Sequence, residues 1–123
     1  MSSKFVLQIA LGGALGALAR FYISGLLPVY RDFPVGTLIV NSIASFLLGY
    51  ISGLMFFGYD ISPKTRVFFG IGFCGSLSTF STFSYETFVL LREGEYLKAS
   101  LNVFSNVSLT LLLVFLGFML ARR

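Results

Sequence analysis

The sequence predicts an all-α membrane protein with four transmembrane helices in a single domain. Hydrophobic residues make up 56% of the 123 residues, and charged residues make up only 11%. A soluble domain averages about 25% charged residues, so this chain has too few charges to cover a surface that faces water. Four apolar stretches account for nearly the whole chain, and each is long enough to cross a bilayer core of about 30 Å.

The four spans are predicted at residues 5–27, 35–57, 67–91 and 99–121. Short connections rich in turn formers and charges separate them. Helices are expected because lipid cannot satisfy the backbone of an open strand, and a barrel needs alternating strands. The first span lacks a polar segment after a cleavage site and leads into further spans, so we expect it in the mature protein. Small residues four apart, Gly12 with Gly16 and Gly49 with Gly53, favour close helix packing.

The composition argues against an enzyme and against a nucleic-acid partner. The chain has no histidine, a single cysteine (Cys74) and five acidic residues. A metalloenzyme, a Ser-His-Asp hydrolase and a Cys-His hydrolase would each lack a required group. The basic residues are scattered between apolar segments, whereas nucleic-acid binding needs them clustered on one face. The net charge of +4 is therefore interpreted as charge that flanks membrane spans.

The basic residues are almost evenly divided between the two sides of the predicted bundle. Because four spans return the chain to its starting side, five basic residues lie on the side of the termini, and four lie on or toward the other side. This is a weak bias under the positive-inside rule. Either the chain inserts in both orientations and pairs as an antiparallel dual-topology homodimer, or it inserts one way. The two groups are Lys4, Lys64, Arg66, Arg122 and Arg123, and Arg31, Arg92, Lys98 and Arg20.

The third span carries a dense run of hydroxyl groups at membrane depth. Six of the nine residues 76–84 are serine or threonine, and Gly70, Gly72 and Gly75 precede them. Two interpretations follow. The helix breaks here, and freed carbonyl groups line a cavity or bind Na⁺. Alternatively, the hydroxyls bond back to carbonyls of their own helix.

Amide side chains occur in the second and fourth spans. Asn41 lies in the second span, and its two N–H donors suit an anion that has lost its water. Asn102, Asn106 and Thr110 recur every four residues on one face of the fourth span. Such a stripe lines a water-filled path or joins two helices.

Aromatic and charged side chains complete the candidate set. Phe80 and Phe83 share a helix face, and the positive edge of a phenyl ring accepts an anion. Ordinary packing is the alternative for this pair. Arg20 lies about two turns before the end of the first span, where its charge would draw anions into a vestibule or pair with Glu86.

Three segments together resemble the motifs of one family. Residues 12–21, GGALGALARF, resemble a first-span pattern G-G-x-x-G-x-x-x-R-[FY]. Residues 34–41, PVGTLIVN, and 72–84, GFCGSLSTFSTFS, resemble the second-span and third-span motifs. These are the motifs of the CrcB/Fluc fluoride channels, and the similarity extends over the whole chain.

The resemblance implies a dual-topology homodimer with two fluoride pores, through which cytoplasmic fluoride leaves passively across the cell (inner or plasma) membrane. It also implies a central structural sodium ion, which is not transported and is held by third-span backbone carbonyls. On this chain those carbonyls belong to Gly75 and Ser78. The implied pore residues are Asn41, Phe80, Phe83, Ser81, Thr82, Asn106 and Thr110, and the implied vestibule residue is Arg20.

Two other functions fit a small four-span protein. A proton-coupled multidrug or cation exporter needs a carboxylate in its first span, whereas this first span has Arg20 and no acid. A structural membrane subunit would need no transport chemistry. Fluoride flux that requires no proton gradient would separate the channel from both alternatives.

Overall fold

The computed structural model describes residues 3–26 and 33–122, and its regular elements there are all helical. Helix α1 is Val6–Leu26 and α2 is Val35–Phe56. Helix α3 covers residues 63–77, α4 is Phe80–Arg92, and α5 is Tyr96–Leu120. Within the described ranges, four helical segments are long and apolar enough to cross a membrane, with α3 and α4 forming the third, Pro63–Arg92. The prediction of an all-α protein with four such segments is confirmed.

The ends of these helices differ by a few residues from the predicted spans. Helix α3 begins at Pro63, ahead of the predicted start, because the Ser62 side chain caps it and accepts a hydrogen bond from Thr65 N at 3.2 Å. Helix α5 begins at Tyr96, directly after a turn in which Gly94 has a φ of 76°. Residues 28–32 of the predicted first connection, which include Arg31, and the terminal Arg123 lie outside the described residues.

Helices α2 and α5 approach each other closely at glycines. A Cβ atom added to Gly49 would meet the backbone of Val114, and one added to Gly117 would meet Tyr50 N at 2.9 Å. Gly53 faces Phe118 and Ala121 in the same way. Two backbones that touch leave no room for side chains between them, so these glycines set the distance between α2 and α5.

Helices α1 and α3 also cross at glycines, but with unequal spacing. A Cβ atom on Gly12 would meet the carbonyl oxygen of Phe68, and one on Gly16 would meet that of Phe73. Four residues along α1 therefore match five along α3. The middle of α3, Val67–Cys74, is π-helical, with hydrogen bonds that span five residues. The wider turn brings one α3 carbonyl over each successive turn of α1.

The buried core is small and lies where α2 meets α3. Val40, Ala44, Cys74 and Leu77 form it, and Leu77 is 1% exposed. Most other large apolar side chains of the described residues lie on the outside of the bundle. Such a surface suits lipid or a second protein copy. The core therefore anchors the end of α3, next to the candidate site.

Candidate functional site

The third span is interrupted at two residues between α3 and α4. Ser78 has φ and ψ of −81° and 159°, and Thr79 has −151° and 122°, so both are extended. The helix restarts at Phe80, where Thr79 Oγ1 accepts a hydrogen bond from Thr82 N at 3.1 Å. Serine and threonine are preferred at this capping position because the side chain replaces a missing backbone acceptor. The hydroxyl-rich sequence thus supplies the start of α4.

The hydroxyl groups also bond back to their own helices, as the second interpretation of the sequence predicts. Ser78 Oγ donates to the Cys74 carbonyl at 3.0 Å, and Thr87 Oγ1 donates to that of Phe83 at 2.8 Å. Thr110 Oγ1 likewise donates to a carbonyl of α5. The helix therefore breaks at Ser78 and Thr79, while the Ser78 hydroxyl stays bonded within its own helix. Binding of Na⁺ by the freed carbonyls stays a prediction.

The break frees the backbone carbonyls at the end of α3 from their helical donors, and those of Gly75 and Ser78 are among them. In a continuous helix, Thr79 N would donate to the Gly75 carbonyl and Thr82 N to the Ser78 carbonyl. Here Thr79 N donates to Asn41 Oδ1 instead, and Thr82 N donates to Thr79 Oγ1. Gly75 and Ser78, the two predicted sodium ligands, therefore both lose their helical donors. Their role as ligands stays a prediction.

Arg20 binds a third carbonyl at the end of α3. Its Nε donates to the Ser76 carbonyl at 2.9 Å. A cation at a helix C-terminus is favourable because the helix dipole is negative there. Among the described residues, the suggested ion pair between Arg20 and Glu86 is not formed, and Arg20 Nε binds the Ser76 carbonyl instead. The vestibule role of Arg20 stays a prediction.

Asn41 holds the break from the side of α2. Its Oδ1 accepts from Thr79 N at 2.7 Å, and its Nδ2 donates to the Thr79 carbonyl at 3.3 Å. The same Nδ2 donates to Asn106 Oδ1 on α5 at 3.1 Å. One amide therefore satisfies both backbone groups of an extended residue at membrane depth, where water is absent.

The hydrogen-bond chain continues along α5 to α4. Asn106 Nδ2 donates to the carbonyl of Asn102 at 2.9 Å and to its Oδ1 at 3.0 Å. Asn102 Nδ2 then donates to Thr87 Oγ1 at 2.9 Å. The polar stripe predicted on the fourth span thus joins helices, which is one of its two interpretations.

A groove of about 410 Å³ lies beside the break, between α2, α4 and α5. Five of the seven predicted pore residues line it, whereas Ser81 and Thr82 do not. Ser81 stays close by, with its Oγ 3.4 Å from Thr79 Oγ1. None of the described residues that line the groove is charged. They are Asn41, Ser45, Ser78, Thr79, Phe80, Phe83, Asn106, Val107, Thr110 and Leu111.

Two lining residues show how open the groove is. The Phe80 and Phe83 rings are 5.5 Å apart between centroids and inclined at 52°. Phe83 is 9% exposed, while Phe80 is 78% exposed. The groove is therefore closed on the side of Phe83 and open on the side of Phe80.

Sequence reasoning missed Ser45 as a lining residue. It lies four residues after Asn41, on the same face of α2, and contributes a hydroxyl to the groove. That spacing was the available signal. The hydrogen bond from Asn102 to Thr87 could not be predicted from spacing, because it connects side chains on different helices.

The comparisons with known proteins match the whole length of the chain. The model of the family described as CrcB-like protein, Camphor Resistance (CrcB), matches residues 7–118. A Thermococcus kodakarensis protein named fluoride-specific ion channel FluC is 71% identical over 123 residues, which cover 100% of both chains. Proteins of that name from Thermococcus onnurineus and Methanocaldococcus jannaschii are 70% and 49% identical, the latter covering 94% of this chain and 93% of its own. The chain therefore belongs to the CrcB family.

Proposed function

We propose that this chain is a fluoride channel through which cytoplasmic fluoride leaves the cell passively, and that it is not an enzyme. The observation that carries the proposal is the uncharged groove at the helix break, which offers amide, hydroxyl and phenyl groups. The relatives named fluoride-specific ion channel FluC support the choice of anion. A four-span chain places this groove within a membrane, and we propose the cell (inner or plasma) membrane.

The chemistry of the groove suits a small, strongly hydrated anion. Passage requires that protein donors replace the water shell, and binding must stay weak enough for release. Hydroxyls, amides and ring edges do this without a full charge that would trap the ion. The inside-negative membrane potential favours exit of an anion by about 2.3 kcal/mol per 100 mV.

The hydrogen bonds of Asn41 indicate where fluoride would interact. Both N–H groups of its Nδ2 are engaged, one with Asn106 Oδ1 at 3.1 Å and one with the Thr79 carbonyl at 3.3 Å. The second is the longer bond and therefore the weaker one. We expect a passing fluoride to compete for this N–H while the bond to Asn106 keeps the amide aligned.

A second, antiparallel copy would complete each path. The groove is open on its outer side, where Phe80 is 78% exposed. The nearly balanced basic residues favour insertion in both orientations. Two copies related by a two-fold axis in the membrane plane would form two equivalent fluoride pores.

The free carbonyls at the break fit a sodium ion. The described residues contain no group of three or more His, Cys, Asp or Glu side chains that could hold a metal. Backbone carbonyls are suitable ligands for Na⁺, and the break removes the helical donors of Gly75 and Ser78. When bound between two copies, the ion would supply a fixed positive charge and join the two breaks.

The test is fluoride efflux from liposomes that contain the purified protein. We expect efflux of fluoride but not chloride, with no imposed proton gradient, and a fluoride electrode measures both its rate and its extent. A proton-gradient requirement would instead support an exporter, and absence of any flux would support a structural subunit. Chloride efflux equal to that of fluoride would contradict the proposed selectivity.

Two substitutions test the assignment of Phe80 and Phe83 to the proposed pore. Phe80→Ile and Phe83→Ile should abolish fluoride efflux while the protein remains folded, because both remove a ring edge from the groove. Phe115→Ile is the matched control, since Phe115 is exposed and does not line the groove. Wild-type efflux in both groove variants would refute the assignment.

A further inference from the structure

We infer that Thr87 and Asn102 are positioning residues, which fix the orientation of the two amides in the groove through a directed hydrogen-bond chain. The chain runs from the backbone N–H of Thr79 to the backbone carbonyl of Phe83. Neither Thr87 nor Asn102 lines the groove, so both act through Asn106. The inference rests on the proposed function for its effect on fluoride flux, but not for its structural test.

At the Thr79 end of the hydrogen-bond chain, the direction from donor to acceptor cannot reverse. A backbone N–H only donates and a backbone carbonyl only accepts. Thr79 N therefore requires Asn41 Oδ1 beside it, and the Thr79 carbonyl requires Asn41 Nδ2. With Asn41 oriented in this way, its Nδ2 also needs an acceptor from α5. Asn106 must therefore present its Oδ1, which lies 3.1 Å away.

The second amide transmits the same polarity. When Asn106 Oδ1 faces Asn41, Asn106 Nδ2 faces the Asn102 carbonyl and Oδ1. If Asn102 were reversed, its Nδ2 would lie about 3.0 Å from Asn106 Nδ2, and two N–H groups would then oppose each other. The orientation of Asn102 thus affects that of Asn106.

Thr87 holds Asn102 in the required orientation. Its hydroxyl proton is donated to the Phe83 carbonyl at 2.8 Å, so its oxygen is left to accept from Asn102 Nδ2 at 2.9 Å. Asn102 is 0% exposed, so water does not replace this partner. Each bond in the chain polarises the next, which strengthens the set beyond a sum of pairs.

The chain closes on the helix that carries the groove phenylalanines. Thr79 and Phe83 lie at the start of α4, and the path between them runs through α2 and α5. It therefore holds the first turn of α4 against both neighbouring helices. Loss of the Thr87 hydroxyl should loosen the Asn106 and Asn41 amides as well as Asn102.

The asparagine content of the sequence allows each amide of the hydrogen-bond chain to be observed directly. Asn41, Asn102 and Asn106 are the only asparagines among the 123 residues, so selective ¹⁵N-asparagine labelling yields three side-chain amide groups, one for each member. NMR spectra of the wild type in lipid nanodiscs are compared with those of Thr87→Val and Thr87→Ser. The valine variant removes the hydroxyl at nearly equal volume, and the serine variant keeps it.

We expect Thr87→Val to shift the side-chain amide signals of all three asparagines, and Thr87→Ser to leave them close to wild type. In liposomes, the valine variant should lower fluoride efflux by about three- to tenfold, and the serine variant should stay within about twofold, as expected for one buried hydrogen bond. Thr65→Val, at an exposed site at the start of α3, is the control for the same substitution.

Two results would overturn the inference: a shift confined to Asn102 in Thr87→Val, or, with a wild type that conducts fluoride, equal efflux in the valine and serine variants. Thr87→Ala replaces the valine variant if the latter does not fold. Failure of the proposed function is a separate result, because a wild type that carries no fluoride still reports the chain through its amide signals.

Discussion

The Asn41 amide replaces, at one residue, the acceptor that a continuous helix would have offered to the Thr79 N–H. It accepts from the Thr79 N–H at 2.7 Å and donates to the Thr79 carbonyl at 3.3 Å. An unpaired backbone group in lipid costs several kcal/mol, so an extended residue at this depth requires such a partner. The residue proposed to interact with fluoride is thus also the residue that stabilises the break.

Replacement of Asn41 should therefore affect both stability and flux. In Asn41→Leu, the Thr79 N–H loses its acceptor and is left unsatisfied, at a cost of about 1–3 kcal/mol, whereas the Thr79 carbonyl keeps the first hydrogen bond of α4. We expect a lower melting temperature in detergent and at least a tenfold loss of fluoride efflux. Ser45→Ala, in the same groove, should keep the wild-type melting temperature. An Asn41→Leu protein with wild-type stability would contradict the role of Asn41 in stabilising the break.

Arg20 is a second single residue with two separable properties, a positive charge and a hydrogen bond to the Ser76 carbonyl. Arg20→Gln removes the charge, whereas Arg20→Lys keeps the charge but not the Nε bond to the Ser76 carbonyl. If Arg20 attracts anions, efflux by the lysine variant should exceed efflux by the glutamine variant at low salt. This difference should shrink as ionic strength rises, because salt screens exposed charges. Equal efflux by the two variants at every ionic strength would contradict the attraction of anions by the Arg20 charge. Only the hydrogen bond to the Ser76 carbonyl would then remain as its role.

At the element scale, glycines decide how closely the helices approach. The π-helical part of α3 allows its carbonyls at Phe68 and Phe73 to lie over Gly12 and Gly16 of α1. This contact places the end of α3 within reach of Arg20, four residues beyond Gly16. The position of the break thus depends on the crossing of α1 with α3.

Gly16→Ala tests this crossing. The added methyl group would overlap the Phe73 carbonyl and lie 3.1 Å from Leu77 N, so the helices must separate. Overpacking of this kind costs about 1–3 kcal/mol, and we expect a clearly lower melting temperature. Gly25→Ala is the matched control on the same helix, since nothing lies within 4 Å of its added Cβ. That variant should be neutral or slightly more stable, because alanine is the better helix former. Equal melting temperatures for the two variants would refute the close crossing.

At the scale of the whole molecule, one chain leaves the groove open on its outer side. Large apolar side chains cover the outside of the bundle. A second copy would close the groove and bring two sets of free carbonyls together, which is why we propose that the dimer and the sodium ion occur together.

Light scattering in detergent should therefore give a protein mass of twice the 13.5 kDa of one chain. Replacement of Na⁺ by N-methylglucamine throughout purification should lower both the melting temperature and the fluoride efflux, because an ion that binds only the folded state stabilises it. K⁺ at equal concentration controls for ionic strength. A monomer mass with full efflux would contradict the dimer, and ion-independent stability would contradict the sodium site.

The fold class and five of the ten groove residues were predictable because they depend on local properties. Hydropathy over the length of one helix predicts each membrane span. Polar residues within a membrane span, such as Thr79 and Asn41, indicate from the sequence alone which hydrogen-bonding groups a site can use. The motifs that carry them also identified the family before any contact was known.

The contacts themselves were not predictable, because they connect residues far apart in the sequence. Asn41 meets Thr79 across 38 residues and Asn106 across 65. Whether the third span breaks or stays helical depended on an outside partner for the Thr79 N–H, and a single helix cannot provide one. The match between the π-helical turns of α3 and the Gly12 and Gly16 positions of α1 is likewise a contact between distant segments. Local composition supplies the donors and acceptors, and the packing of four helices determines which of them meet.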